Sequence, residues 1–253
     1  MTLQMCRHLA YLGPQASLRS VLTDPPYGLL RQSWAPRQQR HGTVNADGFG
    51  LGWYADGDPV PARYRRALPM WGDASLADLA RVTGTRALLA AVRSATDGTA
   101  QGEAAAAPYA VGPWLFSHNG RLDGWPGATV GLAATLPPAD LLALEARTDS
   151  ALAWALVHRR LRDGESPADA LAGTVSDLDA AGVTGRFNFL LTDGTTIAAT
   201  AAGDTLCYRC APGQVVVASE PFDDEPGWQT VPDRTVLTAR PGVVDTEPLK
   251  PPG

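Results

Sequence analysis

"TDSALAWALVHRRLRDGESPADALAGTVSDLDAAG", residues 148–182, decides the fold. Its first half predicts a helix over 149–162, with Leu152, Leu156, Trp154 and Val157 on broad apolar faces. Its second half opens on Ser166-Pro167-Ala168-Asp169, a capped start with Ser at the N-cap and Pro in the first helical position, and predicts a helix to Gly182. Strand patterns flank this helical pair on both sides. Upstream they cover 6–12 (ending at Gly13-Pro14), a Gly-punctuated run in 47–57, its hairpin partner 63–66, the continuous apolar run 87–93, and 113–120 with a turn at Asn119-Gly120. One further helix is expected over 75–82, capped by Ser75. Downstream the strands are 187–191, 196–199, 206–208, 215–218 and 235–238. Residues 31–44 read as an ordered loop, and 97–107 as a mobile low-complexity segment. The order strands, helices, strands predicts an α+β fold with antiparallel sheets, not an alternating parallel one. No repeat or linker divides the chain, so one domain over 6–247 is expected, with residues 1–5 an extension or removed leader and 248–253 a frayed tail.

The 253 residues are enough to bury a core. A net charge of −5 argues against nucleic acid or an anionic membrane as partner, since both call for a basic surface. No run of about 18 apolar residues suggests a transmembrane helix, and the N-terminus lacks a signal-peptide pattern. The three cysteines are an odd count, which argues against a secreted disulfide framework. A cytoplasmic location is expected.

Four features carry chemistry. Cys6 alone reads as a small apolar residue of a buried strand, the usual place of a free cysteine. Asn119-Gly120 reads either as a type I′ turn or as a pair of oxyanion donors. Arg93, ending an apolar strand, is either a snorkelling arginine or a fork for a carboxylate. Asp149 either caps its helix or binds an ammonium. A thiol, two oxyanion donors, a cation and an anion together suit a γ-glutamyl amide, which has a free α-carboxylate, a free α-ammonium and a scissile carbonyl.

The stretches "MCRHLAYLG" (5–13), "NADGFGLGWY" (45–54), "RSATDG" (93–98), "SHNGRLDGW" (117–125), "RTDS" (147–150) and "VASEP" (217–221) resemble, in order, the class II glutamine amidotransferases of the N-terminal-nucleophile hydrolases. Within that family, "LLRQSWAPR" (29–37) and "SEPFDDEPGW" (219–228) are similar to a stand-alone branch that releases glutamate from a γ-glutamyl amide in ergothioneine biosynthesis. The resemblance implies a four-layer αββα sandwich of two antiparallel sheets. It implies Cys6 as nucleophile, its own α-amine as base, and Asn119 with the Gly120 N–H as oxyanion hole. Arg93 would hold the glutamyl carboxylate and Asp149 its ammonium, with Ser94, Thr96 and His118 also binding substrate. No metal or organic cofactor is implied, and the partner is a small γ-glutamyl substrate. An α-amine base requires a chain that starts at Cys6. Met5 stands directly before Cys6, so Met5 is expected to be the functional start, or residues 1–5 to be otherwise removed.

Two departures from the family pattern are Ala107-Pro108-Tyr109, where relatives carry His-Pro-Phe, and Asp97, where many carry His. Cys207 and Cys210, three apart on a strand, point to opposite faces and read as structural. His8 shares a strand face with Cys6 and reads as a pocket wall more than as a base. Arg31, Arg37 and Arg40 form a basic run that is either a solvated loop or an acceptor-side wall, and Trp34 and Trp53 are equally open. The alternatives are a glutaminase subunit feeding a separate partner chain and, with residues 1–5 retained, a catalytically silent binding protein.

Overall fold

The computed structural model describes residues 6–40, 42, 44–95 and 100–250. Among them, thirteen strands form two antiparallel sheets. In chain order the strands are β1 (Arg7–Ser17), β2 (Phe49–Trp53), β3 (Ala62–Arg66), β4 (Gly84–Val92), β5 (Tyr109–Val111), β6 (Trp114–Leu122) and β7 (Gly185–Thr192), then β8 (Ile197–Ala201), β9 (Cys207–Ala211), β10 (Gln214–Ala218), β11 (Trp228–Thr230), β12 (Thr235–Arg240) and β13 (Val243–Pro248). The helices are α1 (Leu18–Leu22), α2 (Leu29–Gln32), α3 (Leu76–Val82), α4 (Val130–Ala133), α5 (Pro138–Leu142), α6 (Asp149–Arg162) and α7 (Pro167–Ala180). One sheet runs β11-β9-β10-β1-β4-β2-β3, the other β13-β12-β8-β7-β6-β5.

Side-chain alternation builds four layers. On β1, Leu9 and Tyr11 face outward and pack with Leu18 and Leu22 of α1, Leu29 of α2 and Leu76 of α3. Ala10 and Leu12 face inward, against Leu115, Leu190 and Ala199 of the second sheet. Phe116, Phe187 and Phe189 face outward from that sheet onto Trp154 and Val157 of α6 and Leu171 and Val175 of α7. The order is therefore helix, sheet, sheet, helix, as expected for the αββα sandwich. Strands such as β4 are buried on both faces, which is why 87–92 is apolar without alternation.

The central helices match the sequence reading. Thr148 caps α6 by accepting the Ala151 N–H at 3.0 Å, and Ser166 caps α7 by accepting that of Asp169 at 3.2 Å. Ser75 precedes α3 but makes no capping bond.

Several expectations are corrected. β1 does not stop at Gly13-Pro14. It passes through an irregularity between Leu12 and Ala16 and regains pairing with β4. Asn119-Gly120 is not a turn: Asn119 pairs with Asn188 and Gly120 with Phe187, so β6 runs on to Leu122. Pairing with a strand far along the chain overrides the local turn preference. Of the 97–107 segment, 97–99 lie outside the described residues, and in the rest Ala105 and Ala106 are buried, with Ala107 against β2. Gly50 makes room for it, since a Cβ there would strike the Ala107 carbonyl oxygen. Residues 248–249 are not a frayed tail: Pro248 closes β13 and Leu249 is buried against the α6/α7 layer, while 251–253 lie outside the described residues. β5, β11 and β13 were not foreseen. They are edge strands, and β5 and β11 are three residues each, too short for a periodicity signal.

Candidate active site

A small cleft opens between the ends of β1 and β4 in one sheet and β6 in the other. Cys6, Arg93, Ser94, His118, Gly120 and Asp149 all line it. They come from three places. Cys6 immediately precedes β1, Arg93 and Ser94 follow β4, and His118 and Gly120 lie on β6 beside the first turn of α6. β1 and β4 pair with Arg7 opposite Val92, and one step further sets Cys6 opposite Arg93. The register of a central strand pair thus brings residues 87 positions apart together. Thr96, the remaining expected substrate contact, lies outside the described residues.

Cys6 is a free, half-buried thiol whose Sγ lies 3.9 Å from the Ser94 carbonyl oxygen. Burial pushes its pKa up; Arg93 and Arg186 pull it back, and Asp149 adds to the rise. The resting group is a thiol, so any attack by it requires a base.

Arg93 is buried at the strand end. Its backbone N–H donates to the Gly48 carbonyl at 2.8 Å, and its side-chain Nη2 donates to that of Ala100 at 3.0 Å, which holds the guanidinium at the cleft wall.

Asp149 is 3% exposed. Its Oδ2 accepts the Leu122 N–H at 3.0 Å and its Oδ1 the Ser150 N–H at 2.8 Å. Capping of α6 belongs to Thr148, so the Asp149 carboxylate is held by two backbone donors and directed at the cleft. Tyr109, in the segment that departs from the family pattern, lines the same wall and shares a 3.0 Å hydrogen bond with Thr148.

The His118 ring is fully used. Its Nε2 is 2.8 Å from the Arg186 carbonyl, which can only accept, so Nε2 carries the proton. Nδ1 then accepts from the Ser150 hydroxyl at 3.0 Å. Burial lowers its pKa. The ring therefore braces the first turn of α6 from within the wall. Gly120 is required beside it, because a Cβ would strike the Arg186 carbonyl oxygen and lie 2.7 Å from His118 Nε2.

Asn119 is fully buried on the inner face of β6, where its amide donates to Ser219 Oγ at 3.2 Å. Ser219 Oγ also accepts the His8 N–H at 3.0 Å. His8 is thus not a cleft wall. It is buried between the sheets with Nδ1 3.2 Å from Ser117 Oγ, and desolvation lowers its pKa to about 3, which keeps it neutral. Cys207 and Cys210 are free thiols, packed in the outer and inner layers respectively. Trp53 packs in the outer core, whereas Trp34 is exposed and meets Trp71 edge to face at 5.7 Å.

Sequence reasoning missed Ser219, Arg186 and the buried Arg7–Glu220 pair. Only Arg7 gave a signal: it stands at the start of the largely apolar strand 6–12, where a charge calls for a partner.

A family model described as glutamine amidotransferases class-II matches residues 29–251. The chain is 43% identical over 245 residues to the gamma-glutamyl-hercynylcysteine sulfoxide hydrolase of Mycolicibacterium smegmatis, covering 97% of this chain and 100% of that one. It is 42% identical over 233 residues to the enzyme of the same name from Mycobacterium tuberculosis, covering 92% of each. Its fold is similar, at a TM-score of 0.69 and 23% identity, to a glutamine aminotransferase class-II domain protein of Silicibacter pomeroyi, covering 97% of this chain and 100% of that one. Among the described residues no helix is long and apolar enough to cross a membrane. By the extent of the family match and the full-length identity to curated relatives, this chain belongs to the class II glutamine amidotransferases.

Proposed function

We propose that the protein hydrolyses the γ-glutamyl amide of γ-glutamyl-hercynylcysteine sulfoxide, releasing glutamate and hercynylcysteine sulfoxide in the cytoplasm as a step of ergothioneine biosynthesis. The observation that carries this reading is the 43% identity spanning the whole length of a relative bearing that name. The gathering of Cys6, Arg93 and Asp149 in one cleft supports it.

In the proposed mechanism the Arg93 guanidinium and the Asp149 carboxylate bind the α-carboxylate and α-ammonium of the glutamyl group. This fixes the side-chain carbonyl over Cys6, with Ser94 at the wall beside it. The mature chain begins at Cys6. The Sγ proton passes to the Cys6 α-amine as the sulfur attacks, and the carbonyl oxygen becomes an oxyanion. An α-amine has a pKa of about 7.7–8.0, so a useful fraction is neutral near pH 7. The Gly120 N–H stabilises the oxyanion together with the second N–H of the Asn119 amide, whose first is held by Ser219, each such donor contributing about 3 kcal/mol. The protonated α-amine returns its proton to the departing nitrogen, leaving a γ-glutamyl thioester. Water, deprotonated by the same amine, cleaves the thioester to glutamate and free thiol.

The test is release of free glutamate from the synthetic sulfoxide, compared with glutamine and glutathione. Preferred turnover of the sulfoxide is expected. Preferred turnover of glutamine, rising when a second protein is added, would instead identify a partner-coupled glutaminase.

A further inference from the structure

Glu220 is fully buried at the end of β10, facing Arg7 of β1. Its two carboxylate oxygens accept consecutive backbone N–H groups, that of Arg37 at 2.9 Å and that of Gln38 at 2.8 Å. Two successive amides on one anion form a nest, a backbone arrangement that requires a negative partner. On its inner side, Oε2 lies 3.7 Å from Nε of Arg7, which is also fully buried and follows Cys6 directly. Arg7 is balanced further by Asp204, at 3.9 Å. None of its guanidinium nitrogens makes a hydrogen bond among the described residues. The carboxylate is thus committed to the loop, and the guanidinium holds it by charge.

The described part of this loop is tied at two points, to residues of the cleft wall and to Glu220. It leaves α2 at Ser33, whose carbonyl accepts the Asn45 N–H at 2.7 Å. Asp47 then donates its N–H to the Arg93 carbonyl at 3.0 Å, and its carboxylate accepts the Ala95 N–H at 2.8 Å. One end is therefore fixed to the Arg93 wall, and the 37–38 turn is fixed to Glu220 beside the nucleophile strand. The outer surface of this stretch carries Trp34 with the Arg31 guanidinium 5.5 Å from its ring centroid, and Arg37, stacked 3.9 Å over Tyr27 and paired with Asp224. Aromatic faces and cations suit an amine leaving group that has a ring and a carboxylate. Ammonia, the leaving group of glutamine, has neither.

We infer that Glu220 is a positioning residue: it latches segment 34–40 to the nucleophile strand through Arg7, and the latched segment is the wall that selects bulky leaving groups over ammonia. The selectivity half rests on the proposed γ-glutamyl hydrolase reading; the latch does not.

The experiment uses the full chain and two variants. Glu220→Gln keeps the shape but cannot accept both N–H groups equally, and it leaves Arg7 short of one anion. Gln38→Pro removes one N–H from the loop side and leaves the buried charges intact, so it reports even if Glu220→Gln folds poorly. Limited trypsinolysis, read by mass spectrometry after Arg40, measures the latch. That site is expected to be cut at least about tenfold faster in each folded variant. The ratio of kcat/KM for the sulfoxide to that for glutamine measures selectivity, and it is expected to fall about tenfold or more. Unchanged cleavage in Gln38→Pro overturns the latch. Faster cleavage with an unchanged ratio overturns the wall. A wild-type chain that releases glutamate from neither compound overturns the hydrolase reading, while the trypsin result still decides the latch.

Discussion

Replacing Asp149 with Asn separates the two readings of this residue. Its oxygens accept the Leu122 N–H at 3.0 Å and the Ser150 N–H at 2.8 Å. An Asn can accept only one of these and turns an NH2 toward the other, a loss of about 1–2 kcal/mol of stability. The helix keeps its cap, because Thr148 accepts the Ala151 N–H. The fold therefore survives. In the cleft the change removes the counter-charge to a desolvated substrate ammonium. Breaking such a pair costs about 2–5 kcal/mol, and 3 kcal/mol corresponds to roughly a hundredfold in kcat/KM. The assay compares a γ-glutamyl anilide with the glutaryl anilide, which lacks the α-amine. Asp149→Asn should lose roughly a hundredfold on the first and no more than about threefold on the second. Equal losses on both would mean that Asp149 acts through the fold alone, and the clamp would be refuted.

Gly120→Ala places a methyl against the Arg186 carbonyl and His118 Nε2, so a loss of about 2–4 kcal/mol in denaturant unfolding is expected. A variant as stable as wild type would contradict the close packing of β6 on β7. His8 has its pKa lowered from 6.5 to about 3 in the fold, so between those values the unfolded chain binds a proton that the native chain does not. Its contribution is intact above pH 6.5 and is lost as the pH falls; going from 6.5 to 5 should cost about 2 kcal/mol, and His8→Gln should flatten the curve by that amount. An unchanged slope in the variant would place the titration elsewhere. kcat/KM should rise with pH around an apparent pKa near that of an α-amine, about 7.7–8.0. A profile flat from pH 6 to 9 would exclude that base.

The elements with strong local signals were legible. α6 and α7 stand where the apolar periodicity and the Ser-Pro cap placed them, because those helices answer to one sheet face and to their own caps. β4 and β7 were legible as apolar runs buried on two sides. Asn119-Gly120 misled as a turn because its partner strand lies more than sixty residues away, and short-range propensity carries no trace of that pairing. Of the site, the four chemical groups were visible one by one, but their meeting depends on the β1–β4 register and on the seating of α6 beside β6. His8 shows the limit of strand alternation. Parity put it on the face of Cys6, yet two residues further in that face is already sealed between the sheets. Glu220 was hidden because its partners are backbone amides of a loop, which any residue type can supply.

The central claim is that Cys6, bearing a free α-amine, carries the glutamyl group. The direct measurement is mass spectrometry of an active preparation, acid-quenched during turnover of the γ-glutamyl substrate and mapped to its N-terminal peptide. The account predicts a chain that begins at Cys6, with a γ-glutamyl group on that residue. Full turnover by a chain still carrying residues 1–5, or a burst of the amine product ahead of glutamate with Cys6 unmodified, would contradict it.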